Sequence, residues 1–101
     1  MKLKIDEKTL QKNASKAAIL LKSLASTPRL MILCKLAEGE HCVGDLWDQS
    51  SLSQSAFSQH LAKLRKDGLV KTRKQAQTVY YTLANDNAIK IIQVLHSIYC
   101  R

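Results

Sequence analysis

The sequence predicts a mainly α-helical α+β domain: five helices, with a β-hairpin inserted before the last. Three observations predict it. Apolar residues recur at helical spacing in four stretches, most of them bounded by capping or breaking residues, and Val43 to Gln49 suit a fifth, short helix. Two runs with β-branched and aromatic residues stand side by side between Leu69 and Leu83. The chain has 101 residues, 46% of them hydrophobic, which fits a single domain over residues 1–101. A chain this short has much to gain from burying further apolar area against a partner, so a dimer is expected.

In the first helix, approximately residues 7–26, Leu10, Ala14, Ala17, Ala18, Leu21, Leu24 and Ala25 follow helical spacing. Ile19 and Leu20 widen that stripe beyond what a surface helix needs. Thr27-Pro28 then predicts an N-cap followed by proline at the first helical position, where the missing N–H is harmless. The second helix is expected to reach about Ala37, with Leu30, Leu33, Cys34 and Ala37 on its buried side and Gly39 just past its end. Cys34 is thus expected to point inward.

Residues Val43 to Gln49 suit a short third helix, and Ser50-Ser51-Leu52-Ser53 a tight polar turn. Ser53 caps a fourth helix running through Arg65 or Lys66. There Phe57, Leu61 and Leu64 recur at i, i+4 and i+7 and face the core, which turns Gln54, Ser55, Ser58, Gln59 and Lys63 away from it. His60 stays on the core side as a structural histidine. Asp67-Gly68 stops the helix, and strands follow over Leu69–Arg73 and Thr78–Leu83, with Val79, Tyr81 and Leu83 on one face. Lys74 to Gln77 join them as a charged tip. Ala88, Ile91, Ile92, Leu95, Ile98 and Tyr99 outline the last helix, approximately residues 86–100, begun by Asn85 or Asp86 and ending beside Cys100. Val94 makes it apolar on another side too.

The formal charge of +8 points to a polyanionic partner, because every phosphate neutralised by Lys or Arg releases condensed counterions. Its distribution is sharper. Lys63, Arg65, Lys66, Lys71, Arg73 and Lys74 face Asp67 alone, whereas Glu38, Glu40, Asp45 and Asp48 make the preceding stretch acidic. Two helices joined by a short turn and followed by a basic hairpin form a winged helix-turn-helix, whose second helix enters the major groove of double-stranded DNA. Gln54, Ser55, Ser58 and Gln59 suit base edges, while Lys63 and Lys66 suit phosphates. Arg73, Lys74 and Gln77 form a wing that contacts the backbone or inserts Arg73 into a minor groove.

An enzyme is not expected, and no cofactor is called for. The sequence has no Gly-rich phosphate loop or nucleophile-base constellation, and Cys34 and Cys100 are far from a local Cys-x-x-Cys pair. No apolar run is long enough to span a membrane, and the N-terminal residues lack the pattern of a signal peptide, so the expected location is the cytoplasm. In that reducing compartment Cys34, Cys42 and Cys100 are buried small hydrophobes or reactive thiols rather than a disulfide framework.

The ordered segments "LASTPRLMILCKLAEGEHCVGDL", "LSQSAFSQHLAKLRKDGLVKTRKQAQTVYYTL" and "LHSIYC" carry a resemblance over nearly the whole chain. The sequence resembles the arsenical-resistance repressor (ArsR/SmtB) family of winged-helix regulators, in its HlyU/BigR/SqrR branch. That resemblance implies a homodimer built on the first and last helices and an inverted-repeat operator with one recognition helix per half-site. It also implies that Cys34 and Cys100 are paired redox-sensing thiols, whose oxidation or polysulfide bridging by an oxidant or reactive sulfur inducer lowers operator affinity. A direct disulfide needs their Cα atoms within roughly 7 Å.

Metal-sensing relatives often carry two cysteines in the segment that here reads Glu40-His41-Cys42-Val43-Gly44-Asp45-Leu46, with Gly44 in place of the second. Cys42 and His41 make an incomplete site, since a closed zinc site wants about four ligands. The other common family site lies on the last helix, which here offers chiefly Asp86 and His96. No metal ligand is therefore assigned. A metal-responsive repressor and a winged-helix module that binds protein stand as the alternatives. Cys42, near a helix start, is a candidate additional reactive thiol.

Overall fold

The computed structural model describes residues 4–48 and 50–100. Among them are five helices, α1 (Glu7–Leu24), α2 (Thr27–Ala37), α3 (Val43–Asp48), α4 (Gln54–Lys66) and α5 (Asp86–Tyr99). Three strands complete the fold: β1 (His41–Cys42), β2 (Val70–Gln75) and β3 (Thr78–Leu83). The mainly α fold with a β wing is the expected one. Gln49, the expected last residue of the third helix, lies outside the described residues.

Helix boundaries follow from caps. Asp6 starts α1 by accepting the Thr9 backbone N–H at 2.9 Å, which satisfies one of the orphan donors of the first turn. The cap of α2 is Ser26, one residue before the expected Thr27, and its hydroxyl accepts from the Arg29 N–H. Pro28 is tolerated one step deeper because none of the first four N–H groups has a helical partner. Between the two helices the chain bends by 90°. Arg29 holds the bend: its Nε donates to the Ser23 carbonyl at 2.7 Å and its Nη2 to the Lys22 carbonyl at 3.2 Å. A positive charge thereby sits on the negative end of α1.

The core gathers Leu24, Ile32, Leu33, Leu36, Leu46, Phe57, Leu61, Leu64, Leu69, Val70, Ala88 and Ile92. On α2 this corrects the expected buried side. Ile32, Leu33 and Leu36 are buried, Leu30 is half-buried, and Cys34 and Ala37 are exposed. The helix is rotated by about one residue step, roughly 100°, from the expected orientation. Burying branched six-carbon residues removes more apolar area from water than burying Cys and Ala, and that difference selects the face.

The end of α4 is a Schellman motif. Gly68, at φ 74°, donates its N–H to the Arg65 carbonyl at 3.1 Å, and Leu69 donates to the Leu64 carbonyl at 3.0 Å. The hydrophobic contact that usually accompanies this motif is available in Leu64 and Leu69, both fully buried. Gly68 supplies the left-handed backbone, and the leucine pair fixes the angle at which β2 leaves the helix.

The strands form one antiparallel sheet in the order β1-β3-β2. Its third strand, β1, was not expected, since two residues are too few for any alternation to register; they pair as His41↔Tyr81 and Cys42↔Tyr80. Being central, β3 is half-buried from Val79 to Leu83 on both faces, which mutes the expected alternation. The hairpin also closes later than expected. Lys74 pairs with Val79 and Gln75 with Thr78, so the loop is Ala76-Gln77 alone, with Ala76 at φ 55°. Lys74 and Gln75 are strand residues rather than tip residues, and Arg73 lies in the strand as expected.

Candidate nucleic-acid interface

Helix α4 is set by the turn before it. Trp47, near the end of α3, donates its indole N–H to the Leu52 carbonyl at 3.2 Å, and Ser50 Oγ accepts the Leu52 N–H at 3.1 Å. Ser53 Oγ then accepts the Ala56 N–H at 3.2 Å as the N-cap of α4. These bonds, with the Ser50 N–H donating to the Trp47 carbonyl at 2.8 Å, tie the turn to both helices and set the direction in which α4 leaves it.

Phe57, Leu61 and Leu64 anchor α4 to the core, and Gln54, Ser55, Ser58, Gln59, Lys63 and Lys66 are all exposed. The helical spacing places Ser55, Gln59 and Lys66 opposite the buried stripe. Lys63 lies to one side and pairs with Asp67 Oδ2 at 3.2 Å. A cleft of about 510 Å³ opens on the other side, between α4 and β3, lined by Ser58, Leu61, Ala62, Arg65, Lys66 and Tyr81. Arg65 was not among the expected site residues. Its spacing of seven from Ser58 puts the two on one helix face, and that spacing was the available signal.

On the wing, Lys74 and Gln77 are exposed. Arg73 is held differently from expectation. Its Nε donates to Glu40 Oε2 at 2.8 Å, its Nη2 to Glu40 Oε1 at 2.7 Å, and its Nη1 to Gln75 Oε1 at 2.9 Å. The guanidinium lies 4.4 Å from the centre of the Tyr80 ring. The Arg73 hydrogen bonds hold the Glu40 carboxyl below the usual carboxylate range, and Glu40 in turn raises Arg73.

Cys34 and Cys100 are both free thiols, Cys34 on α2 and Cys100 capping the end of α5, where its N–H donates to the His96 carbonyl at 2.8 Å. Partial burial pushes the Cys34 thiol above its ordinary value, and the neighbouring charges of Cys100 and Glu38 raise it further. Cys42 is half-buried in β1. Among the described residues, no group of three or more His, Cys, Asp and Glu side chains gathers at metal-binding distance.

Residues 26–72, from the cap of α2 into β2, match the model of the bacterial regulatory protein, arsR family. Over 92 residues, 91% of this chain and 85% of that protein, the sequence is 53% identical to the transcriptional activator HlyU of Vibrio cholerae. The chain belongs to the arsR family. It is 44% identical to the biofilm growth-associated repressor of Agrobacterium fabrum, over 90% of this chain and 78% of that protein. The solved structure of reduced HlyU from Vibrio cholerae superposes with a TM-score of 0.87, at 53% identity, over 92% of this chain and 98% of that one. As a member of the arsR family, the chain is a DNA-binding transcriptional regulator with a winged helix-turn-helix fold, and the family is not enzymatic. Relatives named as an activator and as a repressor stand side by side, so the fold does not set the direction of control.

Proposed function

We propose that this arsR-family regulator works in the cytoplasm as a homodimer on an inverted-repeat operator, and that joining Cys34 to Cys100 lowers its affinity for that operator. The observation that carries the DNA reading is the division of α4: a buried Phe57-Leu61-Leu64 stripe on one side and exposed Gln, Ser and Lys side chains on the other. Gln54, Ser55, Ser58 and Gln59 read base edges, Lys63 and Lys66 meet phosphates, and Arg73, Lys74 and Gln77 of the wing contact the flanking backbone.

Support for the dimer comes from what α1 and α5 leave uncovered. Within its own chain α1 buries only Ser23 and Leu24, at its end. Leu10, Ile19 and Leu21 of α1 and Val94, Ile98 and Tyr99 of α5 are exposed, Ile19 by 68% and Tyr99 by 79%. Covering these side chains with a second copy removes an apolar surface from water that a monomer would leave wet.

Support for the switch comes from the packing of α2, which carries Cys34, against α5, which ends at Cys100, with the charge of Cys100 adding to the burial that raises the Cys34 thiol. A peroxide takes two electrons from one thiolate, giving a sulfenic acid and hydroxide, which becomes water. The second thiol then displaces the sulfenic hydroxyl as another water, and the disulfide forms. With a sulfane-sulfur donor, one thiolate takes up two sulfur atoms as a terminal hydropolysulfide, and the other thiolate attacks the sulfur next to the end, which expels the last sulfur as hydrogen sulfide and leaves a longer bridge. Either link pins α5 to α2, shifts the seam between protomers, and changes the separation of the two α4 helices.

The test uses a duplex carrying the inverted repeat recovered from a randomised pool by selection on the reduced protein. Fluorescence anisotropy on reduced, peroxide-treated and persulfide-treated protein, with intact mass for each, is expected to show tight binding only by the reduced form. Equal affinity for all three, with the Cys34–Cys100 link present by mass, would rule out the switch.

A further inference from the structure

We propose that the Arg73–Tyr80 fork of the wing is a phosphodiester site that Glu40 occupies in the free protein and vacates when DNA is bound. The inference rests on the reading of β2-β3 as a DNA-contacting wing, and adds to it a named ligand group and an internal competitor.

The geometry is that of an oxyanion site. A guanidinium presents a planar fork that takes a carboxylate or a phosphate in the same two-point way. Here the fork takes both Glu40 oxygens, at 2.7 and 2.8 Å, while Gln75 holds the third nitrogen at 2.9 Å. Tyr80 lies under the guanidinium plane and orients it. The pair crosses the sheet: Glu40 stands immediately before β1, Arg73 lies on β2, and Tyr80 belongs to β3 between them. A carboxylate therefore pairs with Arg73 on a strand whose other charged residues, Lys71 and Lys74, are both positive.

Position makes the exchange feasible. The side chains of Arg73 and Glu40 are 51% and 31% exposed, so a phosphate approaching the wing reaches the guanidinium without crossing the core. Ion pairs this exposed hold weakly against competition. Tyr80 and Gln75 stay in place when the carboxylate leaves, so Arg73 passes to the DNA already oriented. Releasing Glu40 sets an uncompensated carboxylate beside the backbone, which lowers operator affinity and takes up a cation that partly cancels counterion release.

The test measures operator affinity and its salt dependence for reduced full-length protein carrying Glu40→Gln, Arg73→Gln, or both. Glu38→Gln serves as a control for the loss of one nearby negative charge. Glu40→Gln is expected to tighten operator binding about two- to fivefold beyond the control. It should also steepen the salt slope by up to about 0.9. Arg73→Gln is expected to weaken binding and flatten the slope, and in that background Glu40→Gln should do no more than Glu38→Gln.

If Glu40→Gln weakens operator binding, or acts equally with and without Arg73, the exchange is wrong and the pair is a structural clasp or a general charge. That result with Arg73→Gln still flattening the slope leaves the wing reading standing. If Arg73→Gln leaves affinity and slope unchanged, the wing reading fails and the exchange fails with it. Melting temperatures on every variant separate a loosened sheet from an altered interface: Glu40→Gln that binds tighter while melting near wild type supports exchange. A large drop in melting with weaker binding overturns it.

Discussion

Ser23, buried at the end of α1, donates a hydrogen bond from its hydroxyl to the carboxylate of Asp67, the C-cap of α4, at 2.5 Å. The contact joins the helix proposed for the dimer seam to the helix proposed for the major groove. Asp67 also holds Lys63 at 3.2 Å, and Arg29 fastens the backbone of Ser23.

Replacing Ser23 with Ala removes the hydroxyl and leaves the mostly covered Asp67 carboxylate with Lys63 alone. Hydrogen bonds to charged groups contribute about 1.5–3 kcal/mol. Asp67 retains some solvent, so a loss of about 1–2 kcal/mol is expected in denaturant unfolding at fixed protein concentration. The Ser23 hydrogen bond, followed by Lys63, lowers the Asp67 pKa. A lowered carboxylate contributes fully above its unfolded value, about 4, and the contribution is lost as pH falls through the lowered folded value. Asp67→Asn should therefore reduce stability at neutral pH and converge with wild type in strong acid. A constant gap at all pH values would contradict this assignment.

Gln59→Ala and Lys74→Ala are expected to fail in different ways. Loss of a base contact relaxes preference at one operator position by about 1–3 kcal/mol. Loss of a phosphate contact weakens all sequences alike and flattens the salt slope by at most about one unit. Competition binding against single-base operator variants distinguishes them. An equal, sequence-independent loss from both would remove Gln59 from the base-reading set.

Val94→Glu on α5 places a charge on an exposed apolar residue of the proposed seam. Sedimentation velocity should show monomer at concentrations where wild type is dimeric, with operator affinity lost in parallel while far-UV circular dichroism stays close to wild type. A Val94→Glu protein that remains dimeric would move the seam off this face of α5.

Partial burial raises the Cys34 thiol, and charge on Cys100 and Glu38 raises it further, so its thiolate is scarce at neutral pH. Cys34 should therefore alkylate slowly near pH 7 and accelerate as pH climbs through its raised value. Cys100→Ser, by removing one of the charges, should shift that acceleration to lower pH and block the intramolecular link. Mass-resolved alkylation across pH reads both effects. A Cys34 rate that is fast at pH 7 and flat above it would contradict the raised thiol.

The elements legible in the sequence were those with a long period or an emphatic stop. The Phe57-Leu61-Leu64 stripe, the Ser53 cap and the Asp67-Gly68 ending of α4 are local signals, and each stands where expected. The departures are decided by partners distant in sequence. Strand β1 exists because Tyr80 and Tyr81 offer hydrogen-bonding groups to His41 and Cys42. Cys34 turned outward because Ile32, Leu33 and Leu36 found better neighbours in α4 and α5. Arg73 read as a free wing cation because Glu40, 33 positions earlier, is brought to it only by the sheet. Sequence spacing alone does not single out Arg65, because the cleft it lines forms only when β3 packs beside α4.

The most direct test of the account is selection of bound duplexes from a randomised pool by the reduced protein, followed by sequencing. The account predicts enriched sites with two half-sites related by a twofold axis, their centres about one helical turn apart or a multiple of it. Enrichment of single asymmetric sites, or no enrichment over the starting pool, would contradict it.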